Sequence, residues 1–358
     1  MEADRRRSTQ FKRLNHGFGQ NTLERIPGID YFPGMNFRIQ SATVATVILF
    51  IAVFAVSVLP ETSVPAVSAR ADMLKVTLLG TGAGPPVNLD RFGPSTLVEA
   101  GRQKLLFDCG RAVTIRLTQA GANLAEIHKL FLTHLHSDHV ISIPDLFLTP
   151  WASGAARQDR FEVWGPDGTR DMMSHIQKAF AFDIHIRRDV DEKYGGEGIS
   201  VTSHDVAEGK IFDQDGVTVT SFMVDHGPVK PALGYRVDYA GHSVVLSGDT
   251  RVSENLIRHA QGVDLLIHET IDADALRANP GNRTRQQIDN IIGHHTTTQE
   301  AGQVFSRVKP KLAVYSHILG KPEDVIAGTR KTYSGPLEVG EDLMTISIGD
   351  RIEVRRGK

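Results

Sequence analysis

One stretch indicates the fold of this chain: Thr133-His134-Leu135-His136-Ser137-Asp138-His139, hereafter the histidine stretch. It holds three imidazoles and a carboxylate, which are the ligands that zinc and similar divalent ions prefer in proteins. The apolar run that leads into it, at 129–133, predicts a buried strand. Because a loop that leaves a strand end can direct several side chains into one pocket, the stretch predicts a metal site. A solvated histidine-rich loop or a single structural zinc is the alternative.

Three other strand-like runs each end in a residue that could bind a metal. His226, Asp249 and His317 follow these runs, and any one of them alone would be ordinary. Open α/β architectures gather their sites outside the carboxyl ends of strands. We therefore expect all three side chains to join the histidine stretch. The preceding runs are 217–224, 243–248 and 311–316.

The H-x-H-x-D-H pattern of the histidine stretch resembles the signature of the metallo-β-lactamase superfamily. The resemblance implies an α/β (α+β) fold, an αββα sandwich in which two mixed sheets pack face to face with helices outside. Strand-like runs at 75–107, followed by strands that alternate with helices such as 253–260, agree with it. The resemblance also implies a ligand set. One ion is held by His134, His136 and His226, the other by Asp138, His139 and His317, and Asp249 bridges the two.

The implied cofactor is a pair of zinc ions, with Mn²⁺ or Fe as alternatives. Two such ions about 3.5–4 Å apart can share a water and lower its pKa from 15.7 to about 7. The expected nucleophile is therefore hydroxide produced at the metal pair. Asp138 is expected to belong both to the ligands and to the catalytic set.

Two further motifs indicate which branch of the superfamily the chain resembles. His268-Glu269-Thr270 follows an apolar run, and a histidine- and threonine-rich segment occupies 293–301. Both are similar to motifs shared by ribonuclease Z and its arylsulfatase-like relatives. The resemblance implies that His295, oriented by Glu269, donates a proton to the leaving oxygen, with His294 as the alternative. The spacing Thr297-x-x-Glu300 also predicts a helix-capping box.

The N-terminal 71 residues do not resemble the rest of the chain. Residues 1–34 are polar and predict a disordered or mis-annotated extension. Residues 35–71 combine a basic start, an uncharged run at 42–59 and an Ala-Arg-Ala ending, which predicts a signal peptide or a membrane anchor. We therefore expect a hydrolase domain at 72–358 that is periplasmic, secreted or anchored to the membrane through 42–59. Within it, 151–196 shows little pattern and predicts loops.

Charge and cysteine content restrict the chemistry of this domain. Residues 72–358 hold 32 basic and 37 acidic side chains, a formal charge of −5. Nucleic-acid enzymes usually have an excess of positive charge on the binding face, so nucleic acid is not an expected partner. The single cysteine, Cys109, excludes an internal disulfide framework and a cysteine-rich zinc site.

The first functional hypothesis is an exported binuclear zinc hydrolase of small sulfate or phosphate esters, similar to arylsulfatases. The second is a ribonuclease Z-type phosphodiesterase that acts on tRNA or cyclic nucleotides. Ribonuclease Z typically inserts a long arm between the third histidine and the bridging aspartate, whereas only 227–248 intervene here. A lactonase and a non-catalytic metal-binding protein are weaker hypotheses, and a homodimer is compatible with the sequence.

Overall fold

The computed structural model describes residues 73–154 and 156–357. The predicted N-terminal segments, 1–34 and 35–71 with the apolar run at 42–59, lie outside the described residues. No helix in the described part of the chain combines the length and the apolar character needed to cross a membrane.

Strands from the whole described region form two mixed β-sheets. In chain order the strands are β1 (Leu74–Gly80), β2 (Ser95–Ala100), β3 (Gln103–Phe107), β4 (Lys129–Phe131), β5 (Phe161–Gly165), β6 (Val201–Asp205), β7 (Gly209–Gln214), β8 (Val217–Met223), β9 (Leu233–Tyr239), β10 (His242–Leu246), β11 (Leu265–Ile271), β12 (Leu312–Leu319), β13 (Leu337–Val339), β14 (Met344–Ile348) and β15 (Ile352–Arg355). The first sheet has the order β15-β14-β1-β2-β3-β4-β5-β6, and the second has the order β13-β12-β11-β10-β9-β8-β7.

The two sheets pack against each other through alternate residues of their strands. Successive side chains of a strand point to opposite faces. On β10, Val244 and Leu246 join an apolar cluster to which both sheets contribute, for example Val76 and Phe107 from the first sheet. Val245, between them, belongs to a different cluster on the outer face. One apolar layer therefore holds the sheets together.

Helices cover the outer face of each sheet. Leu106 of the first sheet shares a cluster with Phe147 of α3, and Val245 of the second shares one with Phe305 of α9. The predicted αββα sandwich is therefore confirmed. The helices are α1 (Val113–Gln119), α2 (Ser137–Val140), α3 (Ile143–Ala152), α4 (Thr169–Ala179), α5 (Ala181–His185), α6 (Glu254–His259), α7 (Ala273–Ala278), α8 (Arg285–Gly293), α9 (Thr298–Val308) and α10 (Pro322–Thr329).

Local signals agree with the elements except in one region. The strand-like runs at 75–107 include a hairpin formed by β2 and β3 around Gly101, which has a φ of 56°. The predicted capping box of Thr297 and Glu300 begins α9. Residues 151–196, however, are not a loop region, because they contain β5, α4 and α5. β5 has only five residues, which is too short for a periodic pattern to be recognised.

Candidate active site

The carboxyl ends of several strands meet at one edge of the sandwich. β10, β11 and β12 are parallel neighbours, so the residues that follow them lie at the same edge. The histidine stretch comes from the first sheet, after β4, and two hydrogen bonds join this segment to β9. The Leu233 amide donates to the Thr133 carbonyl (2.8 Å), and the Tyr235 hydroxyl donates to the Leu132 carbonyl (2.6 Å). The site therefore lies where the two sheets meet.

Three imidazoles from the two sheets form a first cluster. His134, His136 and His226 each place one ring nitrogen within 4.8 Å of the other two. The ring centroid of His134 is 4.7 Å from that of His136 and 5.0 Å from that of His226. His134 and His226 are buried, whereas His136 is exposed. The cluster is therefore open to solvent on the His136 side.

A second cluster consists of Asp138, His139 and His317. The Asp138 carboxylate lies 3.4 Å from Nε2 of His317 and 3.6 Å from Nε2 of His139. His317 has a φ of 50°, and the register of β11 and β12 shifts beside it, between His268 and Thr270. Such bulges change the direction of a side chain, which explains how a residue inside β12 reaches the site.

Asp249 lies between the two clusters. Its Oδ2 atom is 3.2 Å from Nε2 of His317, 3.4 Å from Nε2 of His139 and 3.8 Å from Nε2 of His134. The same oxygen is 4.0 Å from Nε2 of His226. Because Asp249 is only 3% exposed, this carboxylate is a buried centre shared by the surrounding imidazoles.

The donor atoms of the site fit a pair of divalent ions. Nε2 of His134, His139 and His226 and Oδ1 of Asp249 are buried, yet none of them has a hydrogen-bond partner. Unpaired buried polar atoms are costly, and a metal would satisfy them. Burial and the neighbouring His139 lower the pKa of His134 and keep it in the neutral form that binds metals.

Contacts outside the clusters fix the orientation of the imidazoles. Nδ1 of His139 donates to Asp108 (2.8 Å), whose other oxygen accepts from the Thr133 amide (2.8 Å). Nδ1 of His226 donates to the carbonyl of His294 (2.8 Å). Both bonds direct Nε2 at the site and, in the neutral imidazole, leave it without a proton, which is the usual arrangement around metal-binding histidines.

Glu269 and His295 form a buried pair beside the clusters. Nδ1 of His295 donates to Oε1 of Glu269 (3.0 Å), which also accepts from the amides of Thr250 and Thr296 (3.1 Å each). Burial lowers the pKa of His295, but the charge and the hydrogen bond of Glu269 outweigh it and raise this pKa from 6.5 to about 9. One ligand-type atom of His295 lies within 4.8 Å of those of Asp249 and His317. His295 can therefore hold a proton next to the candidate metal site.

The neighbours of this pair were harder to predict from residue patterns. His294 adds another imidazole, with its ring centroid 4.8 Å from His226 and 4.7 Å from His295. Burial, followed by the charges of these two imidazoles, lowers its pKa from 6.5 to about 4. The amides of Thr250 and Thr296 were not predicted as partners of Glu269. In the sequence, the imidazole of His294 was indicated only by its place beside His295 in the segment 293–295.

Comparison with known proteins agrees with this geometry. Residues 103–318 match the β-lactamase superfamily domain. Ribonuclease Z of Mycobacterium bovis is 36% identical over 291 residues, which cover 78% of this chain and 100% of that protein. The chain belongs to the metallo-β-lactamase superfamily. Ribonuclease Z of Mycobacterium marinum is 35% identical over 285 residues, with the same coverage of both chains. Within the superfamily, the chain therefore lies in the branch that contains ribonuclease Z.

Solved structures with the metallo-β-lactamase fold support the architecture. A metallo-β-lactamase fold protein of Bacillus subtilis aligns with a TM-score of 0.59 at 19% identity, over 77% of this chain and 100% of that one. The short form of human tRNase Z aligns with a TM-score of 0.57 at 24% identity, over 77% and 99% of the two chains. At these identities the likeness concerns the fold.

Membership of the superfamily, together with the ribonuclease Z relatives, identifies a metal-dependent hydrolase that acts on ester bonds. It also corrects one prediction. Nucleic acid was not expected as a partner, but relatives matched over their whole length are named Ribonuclease Z, so this expectation is wrong. Its premise was the net charge of the domain, which averages over the whole surface and does not describe the face beside the site.

Proposed function

We propose that this chain is a ribonuclease Z-type phosphodiesterase that cleaves RNA with the help of two zinc ions. The observation that carries the proposal is the match to ribonuclease Z of Mycobacterium bovis over all of that protein's length. It favours the second hypothesis of the sequence analysis over a hydrolase of small sulfate or phosphate esters.

The proposed ligands are the seven residues of the two clusters. A bound pair of ions would supply Lewis acidity and lower the pKa of a shared water. Asp249, whose Oδ2 atom faces both clusters, would bridge the ions. The first ion would be held by His134, His136 and His226, and the second by Asp138, His139 and His317.

The protein's own part in bond cleavage is assigned to His295 and Glu269. A ribose oxygen leaves poorly as an alkoxide, so protonation of this oxygen accelerates cleavage. Glu269 accepts from Nδ1 of His295 and thereby leaves the opposite ring edge for the substrate. The two backbone amides that bind the same carboxylate oxygen, those of Thr250 and Thr296, prevent Glu269 from rotating away.

An exposed basic segment between Glu269 and His295 supports a nucleic-acid substrate. Residues 277–287, hereafter the arginine stretch, are all exposed and contain three arginines, one of them Arg277, but no carboxylate. Arg277 lies 3.8 Å from Asp274 and 3.9 Å from Asp289, whereas Arg283 and Arg285 have no acidic partner within the described residues. This stretch leads into α8, which ends directly before His294, so it provides local positive charge for a phosphate backbone.

Residues 72–358 are proposed as the catalytic domain, whereas the roles of 1–34 and 35–71 in disorder, export or anchoring stay predictions. Cell fractionation and N-terminal sequencing would test the export hypothesis. A mature N-terminus near Asp72 in the periplasm would support the signal peptide, and an intact 35–71 segment in the soluble cytoplasmic fraction would contradict it.

The proposed function can be tested by a turnover screen of the full-length, zinc-loaded protein. The substrates are precursor tRNA, a short single-stranded RNA, a bis-aryl phosphate and an aryl sulfate. We expect cleavage of an RNA at a defined position and slower hydrolysis of the bis-aryl phosphate. Hydrolysis of the aryl sulfate without any RNA cleavage would reject the proposal in favour of the small-ester hypothesis.

A further inference from the structure

His294 lies at the candidate site without a role in metal binding or proton donation. Its backbone carbonyl accepts from Nδ1 of His226 (2.8 Å), which holds this segment against the first cluster. Gly227 allows the close approach, because it has a φ of 61° and a Cβ there would lie 2.9 Å from Cβ of His294. Within the described residues, the ring of His294 has aromatic neighbours but no hydrogen-bond partner. The backbone of His294 is therefore held at the site, while its ring nitrogens stay available.

The rings of His294 and His295 are neighbours, with their centroids 4.7 Å apart. A ring nitrogen of each lies within 4.8 Å of the other and of a ring nitrogen of His226. Hydrogen bonds from nitrogen to oxygen are about 2.9 Å long. Two nitrogens at this separation can therefore bind two oxygens carried by adjacent carbon atoms of one substrate.

We propose that His294 hydrogen-bonds the 2′-hydroxyl of the ribose whose 3′-oxygen leaves, and so makes the site specific for RNA. The inference rests on the proposed function and takes the 3′-oxygen as the leaving group, because only this ester oxygen of ribose has a hydroxyl on the adjacent carbon. Water attacks phosphorus and loses a proton to solvent, the bond from phosphorus to the 3′-oxygen breaks, and His295 gives its proton to that oxygen and is reprotonated from solvent. In a ribose the 2′-hydroxyl is on the carbon next to the leaving oxygen. His294, which lies beside His295, would therefore contact this hydroxyl. The 2′-hydroxyl is the feature that distinguishes RNA from DNA.

A third metal ion is the competing explanation for three converging imidazoles. His226, however, already directs Nδ1 to a carbonyl and Nε2 toward Asp249, and Nδ1 of His295 is bound to Glu269. Only His294 would bring a ring with both nitrogens free. Structural zinc sites have four ligands, and catalytic sites usually have three, so the geometry favours a substrate contact.

The test is a cycle of two changes, one in the protein and one in the substrate. The full-length zinc-loaded protein and its His294→Ala variant are compared on an RNA oligonucleotide and on the same oligonucleotide with a single 2′-deoxy sugar at the leaving nucleotide. The variant keeps the backbone carbonyl that His226 uses. We expect either change alone to lower kcat/KM about tenfold, which is the effect of one neutral hydrogen bond, and both together to add little more.

Controls separate this contact from a general defect. A 2′-deoxy sugar one nucleotide away should lower kcat/KM equally in both proteins, and His294→Gln, which keeps an N–H donor, should recover part of the loss. The inference is overturned if the two changes together lower kcat/KM by the product of their separate factors. It is also overturned if metal analysis finds three ions per chain in the wild type and two in His294→Ala. If the wild type does not cleave the all-ribose oligonucleotide or precursor tRNA, the proposed function itself is rejected.

Discussion

The buried ligands His134, His139 and Asp249, hereafter the floor of the site, differ from the arginine stretch in how strongly the fold constrains them. On the floor, His134 is fully buried and Asp249 is 3% exposed. His139 is held by Asp108 and by the strand ends around it. The arginine stretch at 277–287, in contrast, is exposed at every position. In the chain it lies between Glu269 and His295, two residues of the site.

Because of this difference in burial, the residues for the chemistry of the site can be predicted from the sequence, whereas those that recognise the substrate cannot. Buried polar atoms need partners, so a set of buried ligands can be recognised from residue type and spacing. An exposed arginine has no such requirement, and its function depends on what binds from outside. The charge of the whole domain therefore led to a wrong expectation about nucleic acid, although the metal chemistry was inferred from the same sequence.

The largest effect is expected from Asp249→Ala. Loss of the carboxylate that faces both clusters should remove at least one ion and lower turnover of every substrate by about 10³-fold or more, because several kcal/mol of charge stabilisation are lost. Elemental analysis and a bis-aryl phosphate assay measure both results. Asp350→Ala, at an exposed turn, is the matched control. Two retained ions with full turnover in Asp249→Ala would exclude the bridging role.

The next effect depends on the leaving group. His295→Ala should keep both ions and lose about 10²–10⁴-fold on RNA, the usual range for general acid catalysis. Nitrophenyl esters should be affected much less, because nitrophenolate leaves without a proton. Glu269→Gln should show a weaker form of the same dependence, and His175→Ala, on the exposed surface of α4, should show none. Equal losses on all substrates would mean that His295 positions substrate or supports a metal.

A smaller effect is expected from the residues that orient the floor. Asp108→Asn can still accept from the Thr133 amide, but its nitrogen cannot accept from Nδ1 of His139. Changes of this kind usually lower metal affinity about 10–100-fold. Competition with a chelator measures the affinity, and turnover at saturating zinc should recover. An unchanged affinity would show that packing alone orients His139.

The sandwich was predicted from the resemblance of the histidine stretch to the metallo-β-lactamase signature, and the strand-like runs that end in candidate ligands agreed with it. The sequence did not predict β5 and α4, since a strand of five residues between glycine- and charge-rich segments has no clear period. It also left His294 and His295 open as proton donors. These residues are adjacent in the chain, and the choice between them depends on the folded backbone, in which Glu269 accepts from both Nδ1 of His295 and the Thr296 amide.

The smallest effect is expected from the arginine stretch, and it would show whether this exposed surface recognises the substrate. Arg283→Ala combined with Arg285→Ala should weaken RNA binding and leave turnover of a bis-aryl phosphate unchanged, because a small ester does not reach these side chains. If each arginine neutralises one phosphate of a single strand, the slope of log K against log salt should become shallower by about 1.4. Binding measured across a salt series gives this slope.

The matched control is Arg351→Ala with Arg355→Ala, whose side chains are 84% and 79% exposed on another part of the surface. An equal change in slope for both pairs would indicate a general effect of charge, and no change for the first pair would remove the arginine stretch from RNA binding.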